Sequence, residues 1–240
     1  MMDNFERYEI GELLRKSSYQ GRGIIIGKSQ DGKKAVTAYF IMGRSDNSRN
    51  RIFIEEGENL VIFPFDESKV EDPSLIIYSP IKVNDKSIIV TNGDQTDTVF
   101  EGLKRGVSFK DALETRCFEP DAPNLTPRIS GILNFEYHNF SYEMSIIKSM
   151  DELGTSCSRY TFSYNPIAGL GHFIHTYIGE NNPLPSFAGE PKRIIVPNTK
   201  EELFDSIWNN LNEENRISLH VRYVDIETRE SEKITFNGNR

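Results

Sequence analysis

The sequence predicts an α+β protein in which two stacked β-sheets lie between helices, a four-layer αββα sandwich. Strand patterns fill residues 24–91, two helix patterns follow at 96–116, and strands return over 129–236 with one amphipathic helix among them. These are too many strands for one short open sheet, and two sheets stacked face to face would bury both inner faces. Because no repeat or long linker interrupts the chain, we expect a single domain over residues 1–240.

The composition is that of a globular chain with an acidic surface. Its 240 residues are 37% hydrophobic and 27% charged, with a formal net charge of −8. That charge argues against nucleic acid or an anionic membrane as the partner, and no run of about 18 apolar residues could span a bilayer. The N-terminal residues 1–14 have no signal-peptide pattern, so we expect a cytoplasmic protein in which Cys117 and Cys157 are reduced thiols.

The first part of the chain has the pattern of successive antiparallel hairpins. Residues 27–34, which include Asp31-Gly32, have the pattern of a hairpin turn into the second strand, and 84–86 forms a second polar turn. The predicted elements are a helix within 5–16 and strands at 24–26, 35–42, 52–56, 60–65, 75–83 and 87–91.

The second part begins with two helices. Gly106 is placed to end the first, Ser108 to cap the second, and Thr199 with Glu202 to form a capping box on the last helix. The predicted elements are helices at 96–105 and 108–116, a proline-rich loop at 119–128, strands at 129–137, 142–149, 159–164, 173–178 and 193–196, a helix from Thr199, and a final hairpin of 217–226 with 233–236.

The segment Ala38–Arg51, AYFIMGRSDNSRNR, is the first candidate for a binding site. Its first half reads as a buried strand, and its second half carries the cations Arg44, Arg49 and Arg51 beside small polar residues such as Asn47. Guanidiniums offer paired donors that suit phosphate or carboxylate. Taken alone, such a loop is more often an ordinary solvated connection between strands.

The segment TNGDQTD, residues 91–97, lies between a strand and a helix and is the second candidate. A strand end that leads into a helix N-terminus can hold an anion or a nucleotide. The competing explanation is structural, because Asp94 could cap the helix and Asp97 could complement its dipole.

Other kinds of site have weaker support. His172 and His175 are three apart in a strand-like segment, so they point to opposite faces, and no third metal ligand is signalled. The glycines at 169–171 match no phosphate-binding fingerprint, and no nucleophile-elbow motif is present.

Taken together, four segments resemble the motifs of the stand-alone, archaeal-type IMP cyclohydrolases, in the same order and at similar spacing. The resemblance covers residues 19 to about 150, and 164–191 looks like the longer bacterial members. The four motifs are GRGIIIG (21–27), AYFIMGRSDNSRNR (38–51), TNGDQTD (91–97) and LTPRIS (125–130).

The resemblance implies the fold of the N-terminal-nucleophile hydrolases, which is the same αββα arrangement, but without their nucleophile. The chain opens Met1-Met2-Asp3 and has no Cys, Ser or Thr at position 2, so an autoprocessed amidohydrolase is the weaker interpretation.

The implied reaction closes the second purine ring. The carboxamide nitrogen of 5-formamidoimidazole-4-carboxamide ribonucleotide attacks the formyl carbon, and water leaves to give IMP. This requires a proton acceptor, a donor to the developing oxyanion and an acid for the departing hydroxyl, and it requires no metal or cofactor. The expected partner is therefore a purine nucleotide, with no nucleic acid or membrane.

The same resemblance suggests residues for the site. Arg22, Arg44 and Arg51 would form a basic wall, with Arg44 on the 5′-phosphate. Tyr39 and Asp97 would transfer protons.

The remaining assignments concern the purine ring. Arg128 would orient the carboxamide or stabilise the oxyanion, and Asn92 would bind the base. Asp94, Asn47 and Arg49 are further candidates, and His172 or His175 could close the pocket, although a structural role is preferred for both.

Two matters stay open. A non-catalytic purine-nucleotide sensor on the same fold is the alternative function. We also expect a homo-oligomer, and residues 164–191 could form either a subunit interface or a lid.

Overall fold

The computed structural model of the protein describes residues 5–70 and 78–238 and is an α+β fold with two antiparallel sheets. Its helices are α1 (Ile10–Leu14), α2 (Asp46–Arg49), α3 (Gln95–Lys104), α4 (Phe109–Glu114) and α5 (Lys200–Trp208). Its strands are β1 (Arg22–Lys28), β2 (Lys34–Met42), β3 (Ile52–Glu56), β4 (Asn59–Phe63), β5 (Ile81–Val83), β6 (Ser87–Thr91), β7 (Arg128–Glu136), β8 (Asn139–Ser149), β9 (Cys157–Tyr164), β10 (Leu170–His175), β11 (Lys192–Ile195), β12 (Arg216–Asp225) and β13 (Ser231–Asn237). No helix in these ranges is long and apolar enough to cross a membrane.

The two sheets are built from different parts of the chain. Sheet 1 has the order β11-β10-β1-β2-β12-β13, and sheet 2 runs β3 to β9 in chain order. The chain therefore begins sheet 1 with one hairpin, completes the whole of sheet 2, and returns to finish both sides of sheet 1.

Alternation along β1 shows how the sheets stack. Ile24 and Ile26 point into a core shared by both sheets, whereas Ile25 points to the opposite face of sheet 1. Gly131 of β7 faces β1, and a Cβ built there would lie 2.6 Å from Ile26 Cδ1. A glycine at this position lets the two sheets approach closely.

Helices cover the outer face of each sheet. Leu14 of α1 and Leu203 of α5 belong to the apolar cluster outside sheet 1. Val99 of α3 and Leu113 of α4 pack with Ile132 outside sheet 2. These contacts bury the second face of each sheet, and they explain why the central strands are apolar on both sides.

The α+β class and the two antiparallel sheets confirm the sequence prediction. The Asp31-Gly32 turn, the Ser108 cap and the Thr199–Glu202 capping box also form as predicted.

Several boundaries differ. The N-terminal helix covers only 10–14, because Tyr8 forms a bridge with Ile194 instead of a helical turn. The strand predicted at 173–178 lies at 170–175. Of the strand predicted at 75–83, residues 75–77 lie outside the described ranges and 81–83 form β5.

Cys117 and Cys157 form a disulfide, so the prediction of two reduced thiols is wrong. Their Cα atoms are 6.2 Å apart although 40 residues separate them in sequence. The β7–β8 hairpin brings β9 back to the segment that follows α4, and this non-local pairing juxtaposes the two cysteines. The bond ties the edge strand β9 to the segment that leads into the loop 119–127.

Candidate active site

A cleft of about 420 Å³ opens at the end of the sandwich where β1 begins and β2 ends. Three segments line it: the β2–β3 connection, the loop 119–127 before β7, and the chain around Tyr19 and Tyr177. Arg22, Arg44 and Arg51 all line this cleft, which we call the arginine cleft. Three guanidiniums on one concavity make it suitable for an anionic ligand.

The β2–β3 connection is more ordered than a solvated loop. Its residues 46–49 form the single turn α2, with Ser45 as its N-cap. The Ser45 hydroxyl accepts from Ser48 N at 3.2 Å, and the Ser48 hydroxyl accepts from Ser45 N at 3.0 Å. This reciprocal cap fixes the turn, and Asn47 on it also lines the arginine cleft.

Arg51 is held beneath this turn and is only 5% exposed. Its Nε donates to Ser48 O at 2.7 Å and its Nη2 to Met42 O at 3.2 Å. Among the described residues no carboxylate lies within 4.0 Å of its guanidinium. Burial and the nearby charge of Arg22 lower the pKa of Arg51, as expected for a buried cation with no carboxylate beside it in the described ranges.

Arg44 lies at the exposed rim. Its guanidinium lies 4.7 Å from the centre of the Tyr19 ring, and Tyr19 stacks on Tyr177 with ring centres 5.9 Å apart. The stacked tyrosines hold Arg44 over the mouth of the cleft by a cation–π contact.

Arg22 pairs with Glu119 across the cleft, at 3.2 Å between Nη2 and Oε2. Burial alone would lower the pKa of Arg22, but Glu119 and neighbouring tyrosines outweigh it and raise the pKa well above its usual value. Arg22 Nε has no hydrogen-bond partner in the described ranges. The pair places a carboxylate and a guanidinium side by side on the cleft wall.

Tyr39 lies beneath the arginine cleft and does not line it. It is fully buried, and its hydroxyl lies 3.1 Å from that of Tyr78. Burial and Tyr78 raise the pKa of Tyr39 well above its usual value, although Arg22 and Arg51 oppose the shift. At neutral pH the phenol is therefore protonated and can donate a hydrogen bond, but it is a poor base.

The loop 119–127 is closed by its own hydrogen bonds. Glu119 N donates to Thr126 O at 2.9 Å, and Thr126 N donates to Asp121 Oδ1 at 2.7 Å. The Thr126 hydroxyl contacts both the Asp121 carboxylate and the Tyr177 hydroxyl. Glu119 and Asp121 are thus held in fixed positions on one side of the cleft.

Asn92 is buried, and its side-chain amide is hydrogen-bonded within the protein. Its Oδ1 accepts from Ile129 N and Gln95 Nε2, both at 2.9 Å, and its Nδ2 donates to Pro127 O at 2.9 Å. These bonds join the end of β6 to the start of β7. Asn92 therefore positions Arg128 and does not line the arginine cleft.

Arg128 sits in a network beside Glu119. It donates to Gln95 Oε1 at 2.7 Å and to Cys117 O at 2.8 Å, and its Nη1 lies 2.8 Å from Asp94. A Cβ built at Gly93 would lie 2.6 Å from Arg128 Nη1 and 3.6 Å from Glu119 Oε1. Gly93 therefore lies between Arg128 and the Glu119 carboxylate, and Arg128 itself is not among the residues that line the arginine cleft.

Asp94 does not cap α3 through its side chain. It pairs with Arg116 at 2.5 Å as well as with Arg128. Burial would raise its pKa, but these two guanidiniums outweigh burial and lower it. Asp94 is thus a counter-ion that holds Arg128 in place.

Asp97 lies apart from the cleft. Its carboxylate pairs with Lys82 of β5 at 2.5 Å, and its side chain is 60% exposed. The structure does not bring it together with Arg44 or Arg128.

The remaining candidates also lie elsewhere. His172 Nδ1 lies 2.7 Å from the Tyr142 hydroxyl between the sheets, and His175 Nδ1 binds Tyr177 O. Arg49 lies on the cleft-forming connection, where its Nη1 reaches Gly43 O at 3.5 Å, but it does not line the cleft.

Sequence reasoning missed several cleft residues, above all Glu119 and Asp121. The only signal available was that they are the acids of a polar loop that ends at Arg128, and nothing local shows which of them faces the arginines. Within the described ranges, no three His, Cys, Asp or Glu side chains group as metal ligands.

Comparison with known proteins gives a consistent result. The chain is 32% identical to the IMP cyclohydrolase of Methanococcus aeolicus over 120 residues, which are 48% of this chain and 58% of that protein. It is 35% identical to the IMP cyclohydrolases of Methanopyrus kandleri, over 122 residues and 60% of that protein, and of Methanocaldococcus jannaschii, over 120 residues and 57% of it. The match to M. kandleri covers 49% of this chain and that to M. jannaschii 48%.

The chain therefore spans about 58% of the length of these relatives. Its match to a protein family is longer, since residues 19–229 match the family described as IMP cyclohydrolase-like protein. These residues include all three segments that form the arginine cleft. The chain belongs to the IMP cyclohydrolase-like family.

Proposed function

We propose that this protein closes 5-formamidoimidazole-4-carboxamide ribonucleotide to IMP in the arginine cleft. The observation that carries the proposal is the convergence of Arg22, Arg44 and Arg51 on one cleft beside the fixed carboxylate of Glu119. A nucleotide substrate supplies an anion for Arg44 and Arg51, which have no carboxylate partner among the described residues, and Glu119 supplies a proton acceptor for ring closure.

Arg44 and Arg51 are the proposed phosphate ligands. Arg51 is buried without a carboxylate partner in the described ranges, and Arg44 stands over the cleft mouth on Tyr19. An unpaired cation at this depth is costly unless an anion joins it. Asn47, on the same turn, is placed to bind a phosphate or ribose oxygen.

Glu119 takes the role first assigned to Asp97. In the ring closure, the bond between the carboxamide nitrogen and the formyl carbon forms while the nitrogen loses a proton, which Glu119 accepts. Glu119 returns that proton to the formyl oxygen, and the resulting hydroxyl leaves as water when its C–O bond breaks, taking its second proton from the formamido N–H as the ring C=N bond forms. Tyr39 is proposed to support the acid side of this cycle from beneath the cleft, where its raised pKa keeps the hydroxyl protonated and in hydrogen-bond contact with Tyr78.

Arg128 is proposed to orient the carboxamide or stabilise the oxyanion from its place beside Gly93. Asn92 and Asp94 then act through Arg128, by holding its backbone and its guanidinium. No metal or organic cofactor is needed, because both reacting groups belong to one molecule.

We also infer the wider setting of the enzyme. The helix-covered pair of stacked sheets supports kinship with the N-terminal-nucleophile hydrolase fold, and the core shared by both sheets supports a single domain over 1–240. A cytoplasmic homo-oligomer that binds no nucleic acid is the setting we propose for a biosynthetic enzyme of this charge.

The test is a spectroscopic assay of ring closure by purified protein in the presence of a chelator. Wild-type protein should convert the formamido ribonucleotide to IMP, and Glu119→Gln should lower kcat by about 100-fold. Asp97→Asn is the matched control and should keep wild-type kcat.

Three outcomes would overturn parts of this proposal. A wild-type rate no higher than the uncatalysed one removes the enzyme assignment, and tight IMP binding without turnover would select a nucleotide sensor. An Asp97→Asn loss larger than that of Glu119→Gln would overturn the assignment of the proton acceptor.

A further inference from the structure

A second recess lies on the outer face of sheet 1, between α1 and strands β10 and β11. Its volume is about 280 Å³, and Leu13, Phe173 and Ile178 give it apolar walls. We call it the Gln20 slot, after the buried side chain that lines it. No residue of the proposed reaction lies in it.

Gln20 lines the slot and carries a buried acceptor without a partner in the described ranges. It is 2% exposed, and its Nε2 donates to Leu14 O at 2.7 Å and to Ser17 O at 2.9 Å. Its Oε1 has no hydrogen-bond partner within the described part of the chain. A buried amide oxygen without a partner is unfavourable, so a ligand that donates to it would gain from the contact.

His175 provides a second acceptor beside an aromatic wall. Its Nδ1 lies 2.7 Å from Tyr177 O, and because a carbonyl only accepts, Nδ1 carries the proton. Burial lowers the pKa of His175 to about 4, so the ring is neutral at pH 7 and Nε2 is an acceptor. The ring stacks on Phe173 with centres 4.9 Å apart.

Two lysines stand at the rim. Lys16 and Lys192 both line the slot and are exposed. Neither has a carboxylate within 4.0 Å among the residues that the structure describes. The slot therefore combines a cationic rim, apolar and aromatic walls, and acceptors at its base.

We propose that the Gln20 slot is a regulatory site for a purine nucleoside monophosphate, separate from the arginine cleft. The flat base would lie against Phe173, and its N–H groups would donate to Gln20 Oε1 and His175 Nε2. The phosphate would lie between Lys16 and Lys192. Adenine and guanine both carry the amino donors that these two acceptors require.

A short path links the slot to the arginine cleft. Gln20 follows Tyr19 directly, and Gln20 O accepts from Tyr177 N at 3.2 Å, while Tyr177 O is bound by His175. Tyr19 and Tyr177 are the stacked pair that supports Arg44. Filling the slot therefore acts on the proposed phosphate side of the cleft, and we expect it to change KM more than kcat.

Calorimetric titration of AMP and GMP tests the site without relying on activity. An Arg51→Ala background weakens binding in the arginine cleft, so the remaining isotherm reports the slot. Lys16→Ala with Lys192→Ala should weaken that isotherm about tenfold or more, and Ile178→Trp, which fills the slot, should abolish it. Lys110→Ala on α4 is the matched control and should leave it unchanged.

The outcomes separate this inference from the proposed reaction. A single isotherm that Arg51→Ala removes and the slot variants leave intact would overturn the site, as would inorganic phosphate binding as tightly as AMP. A second isotherm that only the slot variants remove supports it, even if the protein proves to have no ring-closing activity.

Discussion

At the scale of single residues, the arrangement of charge in the cleft decides its chemistry. Arg22 has Glu119, and Arg128 has Asp94, but Arg51 has only two carbonyl oxygens among the described residues. Arg44 rests on an aromatic ring instead of a carboxylate. The two cations that lack an acid partner lie on the same wall, which is where a phosphate would satisfy both.

Arg44→Ala should raise KM about tenfold or more with a smaller change in kcat, because it removes a phosphate donor that does not take part in bond making. Arg49→Ala, on the same connection but outside the cleft, should leave KM within about threefold of wild type. Steady-state kinetics of ring closure measure both values. Equal effects of the two substitutions would mean that the loop contributes only general charge.

Three buried histidines predict a loss of stability in mild acid. Burial lowers the pKa of His172 and His175 to about 4 and that of His220 to about 3, from 6.5. Below pH 6.5 the unfolded chain binds these protons while the folded one does not, so the free energy of unfolding falls as pH falls towards 4.

Each histidine contributes a slope of at most about 1.4 kcal/mol per pH unit in that window. Urea denaturation at pH 7 and pH 5 should therefore show a smaller difference for His220→Gln than for wild type. His138→Gln, at a side chain that is 82% exposed, should keep the wild-type difference. If His220→Gln shows the same difference in unfolding free energy as wild type, burial of His220 does not cause the loss of stability in acid.

Sequence reasoning identified the three arginines because a polar segment that follows an apolar strand can be recognised from the sequence alone. It named Asp97, which stands in a motif, and did not name Glu119, which reaches Arg22 only when the two sheets stack. The sequence also contained no sign that the Asn92 side-chain amide hydrogen-bonds to the backbone of Pro127 and Ile129.

At the scale of elements, the small capped turn α2 sets the shape of the phosphate wall. Ser45 and Ser48 close it reciprocally, and Ser48 O then accepts from Arg51. The turn thus fixes both its own polar residues and the buried guanidinium behind it.

Ser45→Ala should therefore raise KM several-fold while lowering stability by only about 1 kcal/mol, the usual cost of a lost cap. Thr199→Ala removes the equivalent cap from α5, far from the cleft, and should cost about the same stability without changing KM. Thermal unfolding and kinetics on both variants separate the two effects. A KM change of the same size in Thr199→Ala would show that the effect is global.

Element types were predictable because hydrophobic periodicity and capping residues are local. The capping pair Thr199 and Glu202 predicted the start of α5 in this way. The four-residue turn at 46–49 was missed because it has no apolar face and only its serine cap marks it.

At the scale of the whole molecule, the disulfide joins the edge of sheet 2 to the site. Cys117 O accepts from Arg128, and the adjacent Arg116 pairs with Asp94. The bond between Cys117 and Cys157 therefore anchors the backbone from which this network is built.

Reduction of this bond should lower the melting temperature by roughly 10 °C, because it releases a loop whose closure is worth about 4 kcal/mol. Cys157→Ser should melt near the reduced wild type and should not respond to dithiothreitol. Calorimetric scans with and without reductant make the comparison, after intact mass confirms the oxidised state. An unchanged melting temperature on reduction would mean that the packing of β9 holds this region in place without the disulfide.

The disulfide and the order of the strands in the sheets could not be predicted from the sequence, because both depend on contacts between distant segments. Cys117 and Cys157 meet only because β9 pairs with β8 after two chain reversals. The class of fold was still predictable, since it depends on the number and period of the strands and not on which strands become neighbours.

Arg51 is buried with no carboxylate partner among the described residues, and this has a consequence for how the ligand-free protein responds to salts. Burial, and after it repulsion from Arg22, lowers the pKa of Arg51. Divalent oxyanions should therefore occupy the cleft and protect the fold against heat, whereas chloride at equal ionic strength should do so far less. Sulfate or phosphate buffers would then act as competitive inhibitors, and kinetic constants measured in them would understate the affinity for substrate.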